Sequence, residues 1–195
     1  LRTTREMYRI ATLAVRQDNH HETVSKIETM DQQVNDLQTS VRRKVYSHLA
    51  LARRGELLSG LQLLSATVDI ERVGDYTKNI ADVALSRPGA ESFGEHEQGL
   101  VQAIDDTAAL FELTHEAIKD GEVAVGQQVL DRARPIEQYC DRTLSSILRD
   151  APDEGIDRSA LVTVVMLRYT LRIAAHLRNA ASAIANPYHR VGYED

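Results

Sequence analysis

Apolar positions recur every three to four residues along most of this chain, the period of a helix with one buried face. In a first segment, 3–16, Met7, Ile10, Leu13 and Val15 form the apolar set, and Asp18-Asn19 punctuates its end. A second, 21–53, carries Val24, Ile27, Val34, Leu37, Val41 and Val45 on one face and breaks at Gly55. A third, 56–86, ends ahead of Pro88-Gly89, a C-terminal stop signal. Residues 87–94 (RPGAESFG) read as a linker, after which the layout returns. A fourth segment, 95–119, closes at Asp120-Gly121; a fifth, 122–149, runs to the turn APDEG; a sixth, 157–185, stops at Asn186-Pro187. Pro135 lies inside the fifth, which predicts a kink or a late start, because proline removes a helical N–H and crowds the preceding turn. The tail YHRVGYED reads as frayed.

The order helix, long helix, long helix therefore occurs twice. A shift of about 100 residues brings RVGDYTKNIA of the third helix onto RIAAHLRNAA of the sixth: Arg72 meets Arg172, Gly74 meets Ala174, Lys78 meets Arg178 and Asn79 meets Asn179. Short connections make consecutive helices antiparallel neighbours. The expected fold is all-α, two tandem antiparallel three-helix bundles, one over residues 1–90 and a second, degenerate copy over 91–195.

Composition agrees. Of 195 residues, 43% are hydrophobic, enough for a core, while Gly (10), Pro (4) and aromatics (5%) are too few for the frequent turns of a sandwich or barrel. A net charge of −6 argues against nucleic acid as a partner, since neutralising phosphates needs a basic surface. Charge would not draw the chain to anionic lipid either, so membrane contact is expected only through a protein partner. The pattern holds no uninterrupted apolar run long enough for a bilayer span and no leader peptide. Cys140 is alone, which excludes a disulfide framework and a cysteine zinc site and suits a small packing residue in an intracellular protein.

One stripe does not fit ordinary packing. Along the third helix Leu61, Leu64 and Val68 read as core, yet the same line continues through Glu71, Asp75 and Asn79. Two carboxylates at i and i+4 repel, and burying them unpaired costs several kcal/mol. The second copy has Leu171 and Ala175 at those places, so the stripe is expected to face inward. Counted from the turn near Gly55, Asp31 and Asn35 of the second helix stand level with Asn79 and Asp75, respectively, across an antiparallel hairpin. Asp31, Asn35, Glu71, Asp75 and Asn79 would then form two facing oxygen-rich walls suited to a hard or borderline cation such as Mg, Mn, Ca or Fe. Pairing of these acids with Arg72, Lys78 or another helix is the alternative.

The same residues carry a resemblance. DIERVGDYTKNIAD, residues 69–82, resembles the hallmark helix of the PhoU family, D-L-E-R-I-G-D-x-x-x-N-I-A; DQQVNDL, residues 31–37, resembles its facing-helix motif with Asn35 where Asp is usual; RYTLRIAAHLRNAA, residues 168–181, is an eroded second copy. The resemblance covers six helices in two repeats. It implies a cytoplasmic regulator of inorganic phosphate uptake and phosphate signalling, acting by contact with a phosphate transporter and/or sensor histidine kinase, with a homodimer as a further option. It also implies a metal site of Glu71, Asp75, Asp31, Asn35 and Asn79 in the first repeat, with Fe, Mg, Mn, Ca and Zn not distinguished. Leu171, Ala175 and Ala133 replace the acids in the second repeat and predict a lost or weakened site there, although Glu137, Asp141, His176 and Asn179 remain. Similar domains also occur at the cytoplasmic end of sodium–phosphate cotransporters, and a start at Leu1 without methionine is compatible with such an excised domain.

Two further readings compete. Glu112-x-x-His115 resembles half of a di-iron bundle motif, but no second copy stands at matching level, and no nucleophile–base pair or glycine-rich phosphate cradle is visible, so an enzyme is not expected. His20-His21-Glu22 reads as a solvated helix start rather than a metal tract. The other reading is a helical interaction module that works without metal.

Overall fold

The computed structural model describes residues 1–16, 21–51, 57–86, 93–150, 155 and 157–186. The linker 87–92, the loop 52–56, His20 and the tail from 187 lie outside the described residues, and so do the side chains of His21 and Glu22. The helices are α1 Arg2–Arg16, α2 His21–Leu49, α3 Leu57–Leu85, α4 Glu97–Asp120, α5 Val123–Arg149 and α6 Arg158–Ala185. A short 3-10 turn, Gly94–His96, leads into α4.

Local chemistry sets several ends. The Asp157 carboxylate accepts the Ala160 N–H at 2.7 Å and caps α6, satisfying a donor that the helix leaves free. The Glu97 carboxylate accepts the Phe93 N–H at 2.6 Å at the entry to α4. Gly121 closes α4 at φ 68°, a left-handed conformation that glycine adopts without a Cβ clash, and its N–H bonds to Ala117 O. α5 continues through Pro135 as one helix, so the expected late start does not occur; the ring is exposed, and water can reach the carbonyl that loses its N–H partner.

α1, α2 and α3 pack on one another, and so do α4, α5 and α6. The two sets meet along an extensive α3–α6 seam and a smaller α1–α4 contact. The Tyr8 hydroxyl, fully inside, donates to Ile104 O at 3.1 Å, and its ring lies 5.3 Å from that of Phe111, so α1 and α4 share one core. Threonines enter this core because their hydroxyls bond back one turn: Thr12 to Tyr8 O, Thr67 to Leu63 O, Thr77 to Val73 O and Thr107 to Ala103 O. α6 has the length and apolarity of a bilayer-crossing helix, with a mean hydropathy of 1.4 in its most apolar window, where the sequence pattern had suggested none. Its apolar residues Leu167, Ile173, Ala174 and Leu177 are wholly buried against the neighbouring helices.

The buried stripe of α3 differs from the expected one. Ala66, Thr67, Val73, Gly74, Thr77, Ile80, Ala81 and Ala84 face the core. Val68 is 37% exposed, Leu57 is 50% exposed, and Leu61 and Leu64 are only half-buried. The line Leu61, Leu64, Val68, Glu71, Asp75 thus lies on the outer side of α3. α3 is apolar on more than one face, and the small residues won the inner one because they let α1, α2 and α6 approach closely.

Candidate functional site

Asp31, Glu71 and Asp75 do come together, in the outer groove between α2 and α3. Gly74 forms the floor: a Cβ there would lie 3.7 Å from Asp31 Oδ1, from Thr4 Cγ2 and from Val34 Cγ1. Burial raises the Asp31 pKa above its usual range, Lys78 opposes that rise and Asp75 adds to it. Burial likewise raises Glu71, Asp75 adds to the rise, Arg72 and Arg42 oppose it, and Asp31 adds again. Asp31 and Glu71 therefore resist ionisation, each feeling the charge of the other or of Asp75 beside it.

Cations of the chain answer part of that repulsion. Arg72 donates from Nη1 to Asp75 Oδ2 at 3.0 Å and stands 3.8 Å from Glu71. Lys78 Nζ lies 3.7 Å from Asp31 Oδ2. Among the described residues no three His, Cys, Asp or Glu side chains converge closely enough to hold an ion as they stand. The donor set is all oxygen and suits a hard cation, but Arg72 and Lys78 occupy its charge. Asn35 is half-buried on α2, one turn from Asp31. Asn79 goes elsewhere: it lines a cavity of about 260 Å³ with Asp82, Leu161, Val165 and Tyr169, between the end of α3 and the start of α6.

The second repeat resolves the same place differently. Arg178, the counterpart of Lys78, donates to Glu137 Oε1 at 2.8 Å, and both side chains are mostly buried. Leu171 and Ala175 add no charge. Asp141 is exposed. Glu112 pairs with Arg5, and His115 Nε2 accepts from Arg2 Nε at 3.4 Å, so that motif ties α4 to α1. Cys140 is buried and its thiol is pushed up to about 12, chiefly by burial, which leaves it protonated and inert.

One cluster escaped the sequence reading. At the α3–α6 seam His176 Nδ1 lies 2.8 Å from Asp69 Oδ1. The His176 ring stacks on Tyr76 at 5.6 Å, and Tyr76 meets Tyr169 at 6.1 Å. Arg172 reaches the Tyr76 hydroxyl at 3.2 Å and His176 Nε2 at 3.4 Å. Asp69 and Tyr169 hold matching places in the two copies, as do Tyr76 and His176. Asp69–His176 and Tyr169–Tyr76 are thus one contact seen from both sides of a pseudo-two-fold axis. The 100-residue shift already paired these residues; only the antiparallel crossing of α3 and α6 was missing.

Known proteins agree with this architecture. Residues 1–84 match the family model of the PhoU domain. The phosphate transport system regulatory protein PhoU of Streptococcus pneumoniae superposes with a TM-score of 0.79 at 19% identity, covering 93% of this chain and 86% of that one. PhoU of Pseudomonas aeruginosa superposes with a TM-score of 0.80 at 15% identity, covering 93% and 88%. No curated protein sequence matches the chain significantly. Residues 1–84 are thus a PhoU domain by their match to the family model, and nearly the whole chain shares the fold of these PhoU structures.

Proposed function

We propose that this chain regulates inorganic phosphate uptake and phosphate signalling from the cytoplasm, by contact with a phosphate transporter or a sensor kinase rather than by catalysis. The supporting observation is the PhoU domain over residues 1–84, joined to a PhoU fold across nearly the full length. The direct test is a strain in which the chain is deleted and restored, read by phosphate uptake and by expression from a phosphate-starvation promoter. Unchanged uptake and expression on deletion would refute the reading.

Within that reading, the Asp31–Glu71–Asp75 face of the first repeat is a divalent or iron-type metal site, with Asn35 beside it and Asn79 contributing only if its side chain turns from the α6 cavity. Burial combined with mutual repulsion supports this, because a bound cation would relieve both. Elemental analysis of protein purified without chelator tests it. A specific observation also favours a metal-free helical interaction module: Arg72 and Lys78 already neutralise two of the three acids. That module could equally serve as the cytoplasmic domain of a sodium–phosphate cotransporter.

A further inference from the structure

Between α4 and α5 lies a groove of about 540 Å³, within the range of small-molecule sites. Small residues of α4, Gly99, Ala103 and Ala109, keep one wall low. The Tyr139 hydroxyl of α5 rests in the space that a Cβ on Gly99 would need. Ala103 and Ile136, both almost wholly buried, give the groove an apolar floor.

At this groove α5 departs from good helix chemistry. Proline is the least favourable residue for a helix interior, and the Pro135 ring is exposed, so burial does not explain its presence. Having no N–H, Pro135 leaves the carbonyl of Asp131, four residues earlier, without its helical partner. Asp131 and Pro135 both line the groove, so that free acceptor opens on it.

Both walls carry an acid, Asp106 on α4 and Asp131 on α5. Each holds a glutamine of its own helix through Oδ1: Gln102 Nε2 donates to Asp106 at 2.9 Å and Gln127 Nε2 donates to Asp131 at 3.1 Å. Neither carboxylate pairs with a cation among the described residues, so each keeps Oδ2 for another donor. Arg132 lines the groove too and forms no ion pair with a described carboxylate. Two acids and one base leave the lining net negative.

We propose that this groove binds a linear polyamine, with ammonium groups on Asp106, Asp131 and the Asp131 carbonyl and methylene segments on Ala103, Pro135 and Ile136. Charge and shape select the class. The acceptors are two carboxylates and a carbonyl that no donor of the chain fills, and the strip between the walls is hydrocarbon. A polyamine alternates the same two chemistries, and its charged N–H groups make the stronger kind of hydrogen bond. Arg132 opposes the ligand and limits its affinity. The groove shares no residue with the Asp31–Glu71–Asp75 face, and the inference does not rest on the regulator reading, so it can fail alone.

The test titrates spermidine into the 195-residue chain by isothermal calorimetry at low salt. Saturable binding is expected, weakening as salt rises. Asp106→Asn with Asp131→Asn should weaken it at least about tenfold, whereas Arg132→Gln should tighten it about threefold. Pro135→Ala returns an N–H to the Asp131 carbonyl, so that variant should bind about threefold more weakly and yet melt at a higher temperature, a combination that loose attraction to an acidic surface would not give. All four residues are exposed, so the variants should fold, which thermal melting by circular dichroism checks. Glu71→Gln with Asp75→Asn should bind like the parent. Absence of saturable binding overturns the proposal. So does binding unchanged by Asp106→Asn with Asp131→Asn, or binding abolished by Glu71→Gln with Asp75→Asn, which would place the ligand on the other acidic face. An oligolysine peptide that binds through Asp106 and Asp131 where spermidine does not would make the occupant a basic segment of another protein, and that result also overturns it.

Discussion

The two three-helix sets share one arrangement and treat similar polar positions in opposite ways. In the second, one acid and one base, Glu137 and Arg178, are mostly buried and bonded at 2.8 Å, with Leu171 and Ala175 around them. In the first, Lys78 and Asp31 form a looser cross-helix pair at 3.7 Å, with Asp31 one turn along α2 from the place that matches Glu137, and Glu71 and Asp75 add two more carboxylates to it. Arg72 turns outward to hold them, whereas Arg172 turns inward to Tyr76 and His176. One copy has become structure. The other keeps negative charge half-buried beside Arg72 and Lys78, a surplus that a bound cation would relieve.

The largest effect should come from breaking the settled copy. Glu137→Ala removes the carboxylate bonded to Arg178 at 2.8 Å in a mostly buried setting and is expected to cost about 3 kcal/mol in urea unfolding. Lys78→Ala, at a side chain 44% exposed, should cost well under half as much. Equal losses would show that the two pairs are equivalent and remove the distinction. Next, His176→Ala should cost about 2 kcal/mol, since it strips Asp69 of a partner at 2.8 Å and Tyr76 of its stacked ring. Tyr169→Ala, which breaks only the 6.1 Å side of the same pseudo-symmetric contact, should leave Asp69–His176 intact and lower stability through lost packing alone.

Much of this was legible in the sequence, because helix period and turn residues are local properties. α1, α3, α4, α5 and α6 start and stop within about two residues of the expected bounds, and α2 ends four residues early. The recurrence of three packed helices was legible too, since the α3 and α6 sequences remain similar when shifted. The facing of α3 was not. Its leucines and its alanines both form helical stripes, and periodicity cannot say which one neighbours will choose. That choice depends on how closely three other helices approach, and Gly74, Ala81 and Ala84 allow the closer fit. The acids were therefore correctly singled out as odd and wrongly turned inward. Lys78 as the counter-ion of Asp31 and Asp69 as the partner of His176 needed the tertiary crossing.

Gly74 offers a smaller contrast in the opposite direction. Its counterpart is Ala174, fully buried in the same kind of helix. A Cβ on Gly74 would make only ordinary contacts at 3.7 Å, so Gly74→Ala should stabilise the first repeat by about 0.5–1 kcal/mol through reduced backbone freedom of the unfolded chain. The expected reading is a higher urea midpoint at unchanged slope. A loss of stability instead would mean that Asp31 needs the space above Gly74 to move.

The smallest thermodynamic effect is the most informative about function. Replacing Glu71 by Gln together with Asp75 by Asn removes the repulsion between them and should raise stability at neutral pH by a few tenths of a kcal/mol, discounted for solvent at Asp75. The sign of its pH dependence follows from Glu71, whose folded pKa is raised above the ordinary 4.5. A raised pKa means that the protonated form favours the fold. The stability this contributes is fully present below about pH 4.5 and is lost as pH climbs through the raised value. The double variant should therefore gain most over the parent at neutral pH, and the gap should close as pH falls toward 4.5. Added Mn or Fe(II) should reverse the order at neutral pH, raising the melting temperature of the parent and not of the variant, because only the parent keeps the carboxylates that the cation would hold. A parent that responds to pH in this way but to no divalent ion would make the first repeat an acidic face without a metal, and the interaction module would then be the better reading of the whole chain.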